Sequence, residues 1–314
     1  TKRLPETVIM MISGNHDSGP RLNCFRSVLA RQNVYMIGMP PQTKEESIEK
    51  VTMEDAWGKV NFYLLPFVRP SMVRQVVQTS QEEESLSYDE TVRRLLAREV
   101  IDEGERNVLV SHQFYLPEGK KAEEVERMDS EIRTVGNIDE VSAGVLRPFD
   151  YAALGHIHKP MRAGGEFYRY CGTPLACSVS EAGQQKGIVC VELREKGAVS
   201  AKVLPLTPLR QVRILRGTLE EVTAQGCSDY VTAVLTDRVD LDIMEMQDRI
   251  RRAFPNLLEI RREMVRRADY GQIRTKAKEA DPFELCCAFL KDADEEEKAI
   301  LQEVINYVQE VGQG

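Results

Sequence analysis

Residues 8–17, VIMMISGNHD, join a continuous apolar run to a loop that carries an asparagine, a histidine and an aspartate. A short apolar run that stops at a serine and a glycine predicts a buried strand entering a loop. Further strands are predicted at residues 60–67, 108–110, 151–154, 167–170, 187–193 and 199–204. Helices are predicted at residues 21–31 and 88–101. Strands mixed with helices over residues 1–206 predict a layered α/β domain.

The two predicted helices each have an apolar face. In the first helix this face consists of Leu22, Phe25, Val28 and Leu29, and we expect it to meet the sheet of its own domain. In the second helix it consists of Val92, Leu95, Leu96 and Val100. Residues three, four and seven positions apart share one side of a helix, so both faces are expected to be buried.

A pair of prolines, Pro205 and Pro208, marks the end of the first domain. Residues 207–278 then predict a small α/β domain, with strands at 212–215, 230–235 and 257–263 and a helix at 241–254. Residues 279–314 predict a helical tail, because apolar residues recur there at helical spacing. These residues are Ile300, Leu301, Val304, Ile305, Val308 and Val311.

Composition restricts the class of protein. No apolar stretch of about 18 residues or more occurs, and the first residues lack the apolar core of a signal peptide, so we expect a cytoplasmic protein without a membrane span. The net charge of −8 argues against a protein that coats nucleic acid, but not against an enzyme that grips phosphates locally. Seven cysteines without a CxxC pair predict reduced, buried thiols.

All four histidines of the chain follow an apolar strand candidate and open a loop. They are His16 in GNHD, His112 in VSH, and His156 and His158 in GHIH. A single histidine in such a place is more often a satisfied structural residue. Four of four at strand ends favour a metal site, because layered α/β folds build their sites from loops at the ends of strands.

The residue types at these loops suit divalent metal ions. Imidazole nitrogens, an amide oxygen and carboxylates are ligands for manganese, iron or zinc. His156 and His158 alternate along the chain and can therefore point into the same cavity. Two metal ions held a few ångströms apart can activate water and neutralise a phosphate during its displacement. His16 beside Asp17 is typical of a catalytic imidazole oriented by a carboxylate.

The set GNHD, strand-end histidine and GHIH resembles the second half of the signature of calcineurin-like metallophosphoesterases. The flanking sequences LPFVRP at 65–70, VGNID at 135–139, FDYAAL at 149–154 and YCGTPL at 170–175 look like the SbcD family of DNA-nuclease subunits, as do Ser180-Glu181 and Lys186-Gly187. The resemblance runs from about residue 8 to the C-terminal helices. It implies a four-layer α/β/β/α sandwich with a small capping domain and a helical tail.

The resemblance also assigns roles to single residues. It makes Asn15, His112 and His156 ligands of one metal ion and His158 a ligand of the other. It makes His16 a catalytic residue, with Asp17 orienting it. The implied cofactors are two divalent ions, with manganese preferred and magnesium, iron or zinc as alternatives.

The implied activity is a metal-dependent double-strand DNA exonuclease and hairpin endonuclease that acts in DNA repair, recombination and replication. The implied partners are DNA and an SbcC-type coiled-coil ATPase, with a homodimer inside a heterotetramer. The tail is a candidate for binding the ATPase, and the neighbourhood of residues 21–31 for the homodimer contact.

The sequence departs from the family pattern at its start. The family begins with Asp-x-His and Gly-Asp-x-x-Asp, and neither motif occurs before Gly14. These motifs would supply the remaining metal ligands and two central strands. We therefore expect a chain with an open sheet edge, weak metal binding and no nuclease activity of its own.

Arginines cluster in the small domain. The candidates for DNA contact are Arg249, Arg252, Arg261, Arg262 and Arg266, and the alternative is a solvated face paired with acids such as Glu245, Asp248, Glu259 and Glu263. The sequence leaves both interpretations open. Two other functions also stay open: a metallophosphoesterase that acts on small phosphodiesters or phosphoproteins, and a catalytically dead scaffold between the ATPase and DNA.

Overall fold

The computed structural model describes residues 3–79, 86–117, 119–120, 139–237, 242–263, 294, 297–302 and 304–305. The chain divides into two compact units, residues 1–262 and 263–314. In the second unit residues 297–302 and 304–305 are helical, as expected for the tail, and the side chains of Ile300 and Val304 are exposed.

The first unit contains fifteen strands in the part of the chain that the structure describes. They are β1 (Ile9–Ile12), β2 (Val34–Ile37), β3 (Glu49–Asp55), β4 (Gly58–Leu65), β5 (Arg106–His112), β6 (Phe114–Leu116), β7 (Glu140–Ser142), β8 (Tyr151–Gly155), β9 (Met161–Arg162), β10 (Tyr168–Tyr170), β11 (Gly187–Leu193), β12 (Val199–Pro205), β13 (Val212–Gly217), β14 (Tyr230–Leu235) and β15 (Leu257–Arg262).

Six α-helices accompany these strands in the same described ranges. They are α1 (Gly19–Asn23), α2 (Arg26–Ala30), α3 (Pro70–Val77), α4 (Tyr88–Ala97), α5 (Leu219–Thr223) and α6 (Ile243–Ala253). One short 3₁₀ helix, Ala143–Leu146, follows β7, and another, Val179–Glu181, precedes β11.

The main sheet has six strands in the order β3-β4-β5-β8-β10-β9. Strands β4, β5, β8 and β10 are parallel, and β3 and β9 are antiparallel strands at the two edges. Parallel strands are buried on both faces, and β5 and β8 are accordingly buried or half-buried along their whole length. Because these strands are parallel, their carboxyl ends lie at one edge of the sheet, where His112 and Gly155 are found.

Each face of the main sheet packs against a different layer. On one face, Tyr63, Leu109 and Leu154 pack with residues of α3 and α4 in the largest core. On the other face, apolar side chains of β4, β5 and β8 meet the parallel pair β1–β2 and the antiparallel hairpin β11–β12. This mixed α/β arrangement is compatible with a metallophosphoesterase-like fold, and the four-layer sandwich stays a prediction.

An apolar cleft of about 850 Å³ runs along β1. Its wall includes Met10, Val110, Ala153 and Val191, and His112 lies among the residues that line it. Within the described residues β1 pairs with β2 alone, so its second edge has no described partner strand. The cleft and this sheet edge lie beside the loops that carry the histidines.

The three-stranded parallel sheet β13-β14-β15 forms a second core with α5 and α6. Leu215, Val231 and Ile250 are buried in it, and Thr218 caps α5 in a reciprocal capping box with Glu221. This small α/β element agrees with the strands and helix predicted for residues 212–263. The division of the chain at 206 and 278 stays a prediction.

Two helix predictions were wrong in detail. The single helix predicted at 21–31 is broken into α1 and α2, and Phe25 and Val28 are 65% and 59% exposed instead of packing on the sheet. Helix α4 ends at Ala97, so Val100 lies beyond it and is 90% exposed. The other three apolar residues predicted for that helix face are buried.

The thiols and the membrane prediction can also be compared with the structure. The described cysteines are free, but the expectation of burial was wrong for Cys24, Cys171, Cys177 and Cys190, which are exposed. The adjacent pair at 286–287 lies outside the described residues. In the part of the chain that the structure describes, no helix is both long and apolar enough to cross a membrane.

The contrast between Leu109 and Val100 gives a stability prediction. Leu109 is fully buried in the largest core, so Leu109→Ala should lower the free energy of unfolding by about 2–5 kcal/mol. Val100→Ala, at an exposed position, should change it by less than about 0.5 kcal/mol. Urea denaturation followed by circular dichroism measures both. A large loss in Val100→Ala would show that this residue is buried in solution.

Candidate metal centre

Three chain segments bring the histidines to one edge of the main sheet. The loop after β1 carries Asn15 and His16, the end of β5 carries His112, and the loop after β8 carries His156 and His158. The backbone holds the first segment against its neighbours, because Ser13 N–H donates to the carbonyl of Ile37 and the Phe67 N–H donates to the carbonyl of Ser13. The sheet therefore determines where these loops meet.

The GNHD loop is a tight turn closed by its own aspartate. The carboxylate of Asp17 accepts a hydrogen bond from the backbone N–H of Gly14 at 2.7 Å, and the Asp17 N–H donates back to the Gly14 carbonyl at 3.2 Å. Within the described residues no hydrogen bond joins Asp17 to His16. Asp17 therefore shapes the loop in this structure, and its role in orienting His16, which is exposed, stays a prediction.

His112 lies at the centre of the cluster. Its Nε2 atom is 2.9 Å from the side-chain oxygen of Asn15, and its ring centroid is 5.4 Å from that of His156 in an edge-to-face arrangement. Burial lowers the pKa of His112 to about 4; the Asp17 carboxylate opposes this shift, whereas His16 and His158 add to it. His112 is therefore a neutral imidazole at neutral pH, which is the form that can bind a metal.

Two glycines leave room for the His112 ring. A methyl group at Gly14 would lie 2.7 Å from Cε1 of His112, and one at Gly155 would lie 2.7 Å from Nδ1. Contacts this short do not occur between real side chains, so any larger residue at either position would displace the imidazole. The requirement for glycine at Gly14 and Gly155 thus has a direct steric explanation.

His156 is buried and sits in a strained backbone conformation. Its φ angle is +99°, a region that non-glycine residues rarely adopt and that costs of order 1–3 kcal/mol. The Phe67 ring stacks on the imidazole, with centroids 6.4 Å apart and planes 11° apart. The centroid of the Phe114 ring lies 6.3 Å from that of the imidazole. The Nε2 atom of His156 lies 3.9 Å from the carboxylate of Asp139. Packing therefore holds this side chain in place against the strain.

His158 faces a different set of residues. Its Nδ1 atom lies 3.2 Å from Oε1 of Glu181, and Glu181 is almost completely buried. The structure thus brings Asn15, His112 and His156 into one cluster and places His158 beside it on a carboxylate.

The donor set fits a divalent ion in part. Two ligand atoms bound to one ion at right angles, with bonds of about 2.1 Å, lie roughly 3 Å apart, and the Asn15 oxygen and His112 nitrogen are separated by 2.9 Å. Among the described residues, however, no three His, Cys, Asp or Glu side chains lie close enough together to hold a metal ion. The ligand assignments therefore stay predictions, and the described side chains supply part of a site.

Three residues near the histidines received no role from the sequence. Phe67 and Glu181 belong to sequence segments that carried the family resemblance, and Asp139 ends a third such segment. Their positions in those segments were the only available signal. Which histidine each one contacts depends on the tertiary structure.

The predicted DNA-contact arginines do not form one patch. Arg249 and Arg252 lie on α6, while Arg261 and Arg262 are neighbours on β15 and pair with Val234 and Leu235 of β14, so they point to opposite faces of the sheet. Arg261 also forms an ion pair of 2.8 Å with Glu259, as the solvated-face interpretation predicts. Arg266 lies outside the described residues.

A mixed α/β chain whose histidines gather at the carboxyl ends of parallel strands is compatible with the metallophosphoesterase-like class. Residues 206–293 match a family model of the SbcD C-terminal domain, described as the type 5 capsule protein repressor C-terminal domain. The chain therefore belongs with the SbcD family, as the combined motifs predicted.

Two curated relatives support this assignment over most of the chain. The SbcD subunit of the SbcCD nuclease of Staphylococcus epidermidis is 28% identical over 259 residues, which cover 80% of this chain and 64% of the relative. The protein of the same name from Staphylococcus saprophyticus is 31% identical over 216 residues, which cover 68% of this chain and 52% of the relative. The chain thus spans about half to two thirds of the length of these relatives.

The lowered pKa of His112 predicts a pH dependence of stability. In the unfolded chain the imidazole of His112 takes up a proton as the pH falls through 6.5, but in the folded chain it does so only near pH 4. The folded state is therefore most stable with respect to this group above pH 6.5, and it loses about 3 kcal/mol as the pH falls from 6.5 to 4. Chemical denaturation in the presence of a chelator measures this loss. His112→Gln should be less sensitive to pH in that window, and an unchanged slope would contradict the assignment.

Proposed function

We propose that this chain is part of a metal-dependent DNA nuclease. The observation that carries the proposal is the meeting of Asn15, His112 and His156 at the carboxyl ends of parallel strands, in a chain whose relatives are named as the SbcD subunit of the SbcCD nuclease. The nuclease assignment makes the protein a hydrolase of phosphodiester bonds. Its substrates would be the ends of double-stranded DNA and DNA hairpins, in repair, recombination and replication.

The proposed cofactors are two divalent ions, with manganese preferred. Asn15, His112 and His156 would hold one ion and His158 the other, and the bound ions would activate water and neutralise the phosphate. The cluster is suited to this role because burial keeps His112 neutral and Phe67 fixes the ring of His156. His16 is exposed at the tip of its loop, where it could give a proton to the leaving oxygen.

The proposed partner is a coiled-coil ATPase of the SbcC type, which the names of the relatives imply for those proteins. A homodimer inside a heterotetramer belongs to the same proposal. The exposed side chains of Phe25 and Val28 support a protein contact next to the GNHD loop, because neighbouring apolar side chains that are exposed to solvent favour association. Most of the predicted ATPase-binding tail lies outside the described residues.

One observation favours a second function for this chain by itself. Because the described residues group no three acidic, histidine or cysteine side chains around a common point, the chain alone could act as a scaffold between the ATPase and DNA. The scaffold needs no metal. The nuclease does, and a metal titration therefore separates the two.

Because the described side chains supply only part of a metal site, we expect the 314-residue chain to bind Mn²⁺ weakly and to leave duplex and hairpin DNA uncut. In a protein of the relatives' full length that contains this chain, Mn²⁺ should support cleavage, and His112→Gln should lower the metal affinity by about 10-fold or more. Isothermal titration calorimetry and cleavage of end-labelled DNA measure these quantities. Glu192→Gln is the control, because Glu192 is an exposed carboxylate on β11.

The outcomes separate the candidates. Robust Mn²⁺-dependent cleavage by the 314 residues alone would contradict the expectation of a partial site. Full cleavage by the long His112→Gln protein would contradict the proposed metal ligand, and absence of cleavage in the long wild-type protein would favour the scaffold.

The opposite directions of Arg261 and Arg262 sharpen the proposal for DNA contact. Arg261 is exposed, whereas Arg262 is half-buried and points to the helix-covered face. If the open face of the sheet tracks DNA, Arg261→Glu should reduce the slope of log affinity against log salt by about 1, and Arg262→Glu should change it less. Fluorescence anisotropy with duplex DNA over a salt series measures the slopes. If both variants leave the slope unchanged, the result would favour the interpretation of Arg261 as a solvated side chain paired with Glu259.

A further inference from the structure

A buried ion pair lies directly behind His158. The side chain of Glu181 is fully buried, and its Oε2 atom lies 2.6 Å from Nζ of Lys186. The same oxygen accepts a hydrogen bond of 2.9 Å from the hydroxyl of Thr173. The other oxygen, Oε1, lies 3.2 Å from Nδ1 of His158. One carboxylate thus connects the histidine to a lysine and a threonine.

Lys186 fixes the backbone of His158 as well. Its ammonium nitrogen lies within hydrogen-bonding distance of the His158 carbonyl oxygen at 3.1 Å, Thr173 Oγ1 at 2.9 Å and Gln184 Oε1 at 2.9 Å. The Thr173 N–H donates to the same carbonyl at 3.2 Å. The main chain and the imidazole of His158 are therefore held by one network.

The loop before Thr173 has to pass very close to His158. Gly172 has a φ angle of +75°, and a methyl group at this position would lie 2.5 Å from the His158 carbonyl oxygen. Only glycine allows this approach. The backbone that carries Thr173 is thus pressed against the residue that the network orients.

Stability is a weak reason for such an arrangement. A buried ion pair gains little over apolar side chains of the same size, because both charges must be removed from water. The advantage of the ion pair is that it fixes the direction in which the Glu181 carboxylate points. An ionised carboxylate can only accept hydrogen bonds, so the hydrogen bond with His158 requires a proton on Nδ1, and in a neutral ring the lone pair is then on Nε2.

We propose that Glu181 is a positioning residue that selects the Nδ1–H tautomer of His158, and that Lys186 and Thr173 hold Glu181 in the orientation that does so. His158 then presents the nitrogen lone pair of Nε2 as a metal ligand without rearrangement. A carboxylate behind a metal-binding histidine is worth about 10- to 100-fold in metal affinity. This inference rests on the proposed metal site, but the tautomer itself does not depend on bound metal.

The test uses two double variants of the full chain that both remove the ion pair. Glu181→Gln with Lys186→Met keeps an acceptor oxygen beside His158, whereas Glu181→Met with Lys186→Met removes it. Neither leaves a buried charge unpaired, so both are designed to fold. Glu192→Gln with Lys202→Met is the matched control, because both residues are exposed on the β11–β12 hairpin.

The first measurement is two-bond ¹H–¹⁵N NMR of the metal-free protein at alkaline pH. The chain has four histidines, so a His158→Gln sample assigns the signal. We expect the Nδ1–H tautomer in the wild type and in the control. The amide of glutamine at 181 can accept or donate, so that variant should keep only part of this preference. The variant with methionine at both positions should shift towards the Nε2–H tautomer. An unchanged tautomer in that variant would overturn the proposal.

The second measurement is Mn²⁺ affinity in a protein of the relatives' full length. The double methionine variant should bind about 10- to 100-fold more weakly, and glutamine at 181 should restore part of the loss. If the double methionine variant does not fold, Thr173→Val provides the test, with a smaller loss of affinity expected and no loss contradicting the network. A selected tautomer in a protein without nuclease activity would count against the proposed function and leave the role of Glu181 intact.

Discussion

The imidazole of His112 is enclosed by two backbones that have no side chain at the point of contact. Methyl groups at Gly14 or Gly155 would each approach it to 2.7 Å. The loop after β1 and the end of β8 can therefore come together only around this ring. Because β4, β5 and β8 are parallel, their pairing fixes the ends of the strands, and the ring fixes how closely the loops approach. The arrangement of Asn15 and His156 follows from this enclosure.

The enclosed position explains the chemistry of the cluster. Removal of water lowers the pKa of His112 to about 4 and leaves a neutral donor 2.9 Å from the amide oxygen of Asn15. The adjacent His156 keeps a φ angle of +99°, which is tolerated because Phe67 and Phe114 pack on its ring. Contacts with the surrounding core thus offset the free-energy cost of the strained backbone at His156 and of burying neutral imidazole nitrogens. Packing and site chemistry depend on the same contacts.

The sequence predicted the strands that end at the site, because residues 108–110 of β5 and 151–154 of β8 are apolar runs. It did not predict β2, which has only four residues, or β3, in which five of the seven residues are polar. The helix at 21–31 failed because periodicity alone does not show a break between Asn23 and Arg26. Motif spacing identified the histidines and the family. It could not identify the contacts of Phe67 or Glu181, which depend on segments distant in the sequence.

The charges around the cluster place a further condition on metal binding. The four predicted ligands are one amide and three imidazoles, so they contribute no negative charge. The nearest described carboxylates already have other partners: Asp17 closes its own loop, and Glu181 is neutralised by Lys186. Asp139 lies 3.9 Å from Nε2 of His156, a predicted ligand of the first ion. Two divalent ions carry four positive charges, and a buried charge is stable only when it is compensated. The neutral donors can thus set the position of an ion, while the negative charge needed to hold it has to come from groups beyond these four side chains.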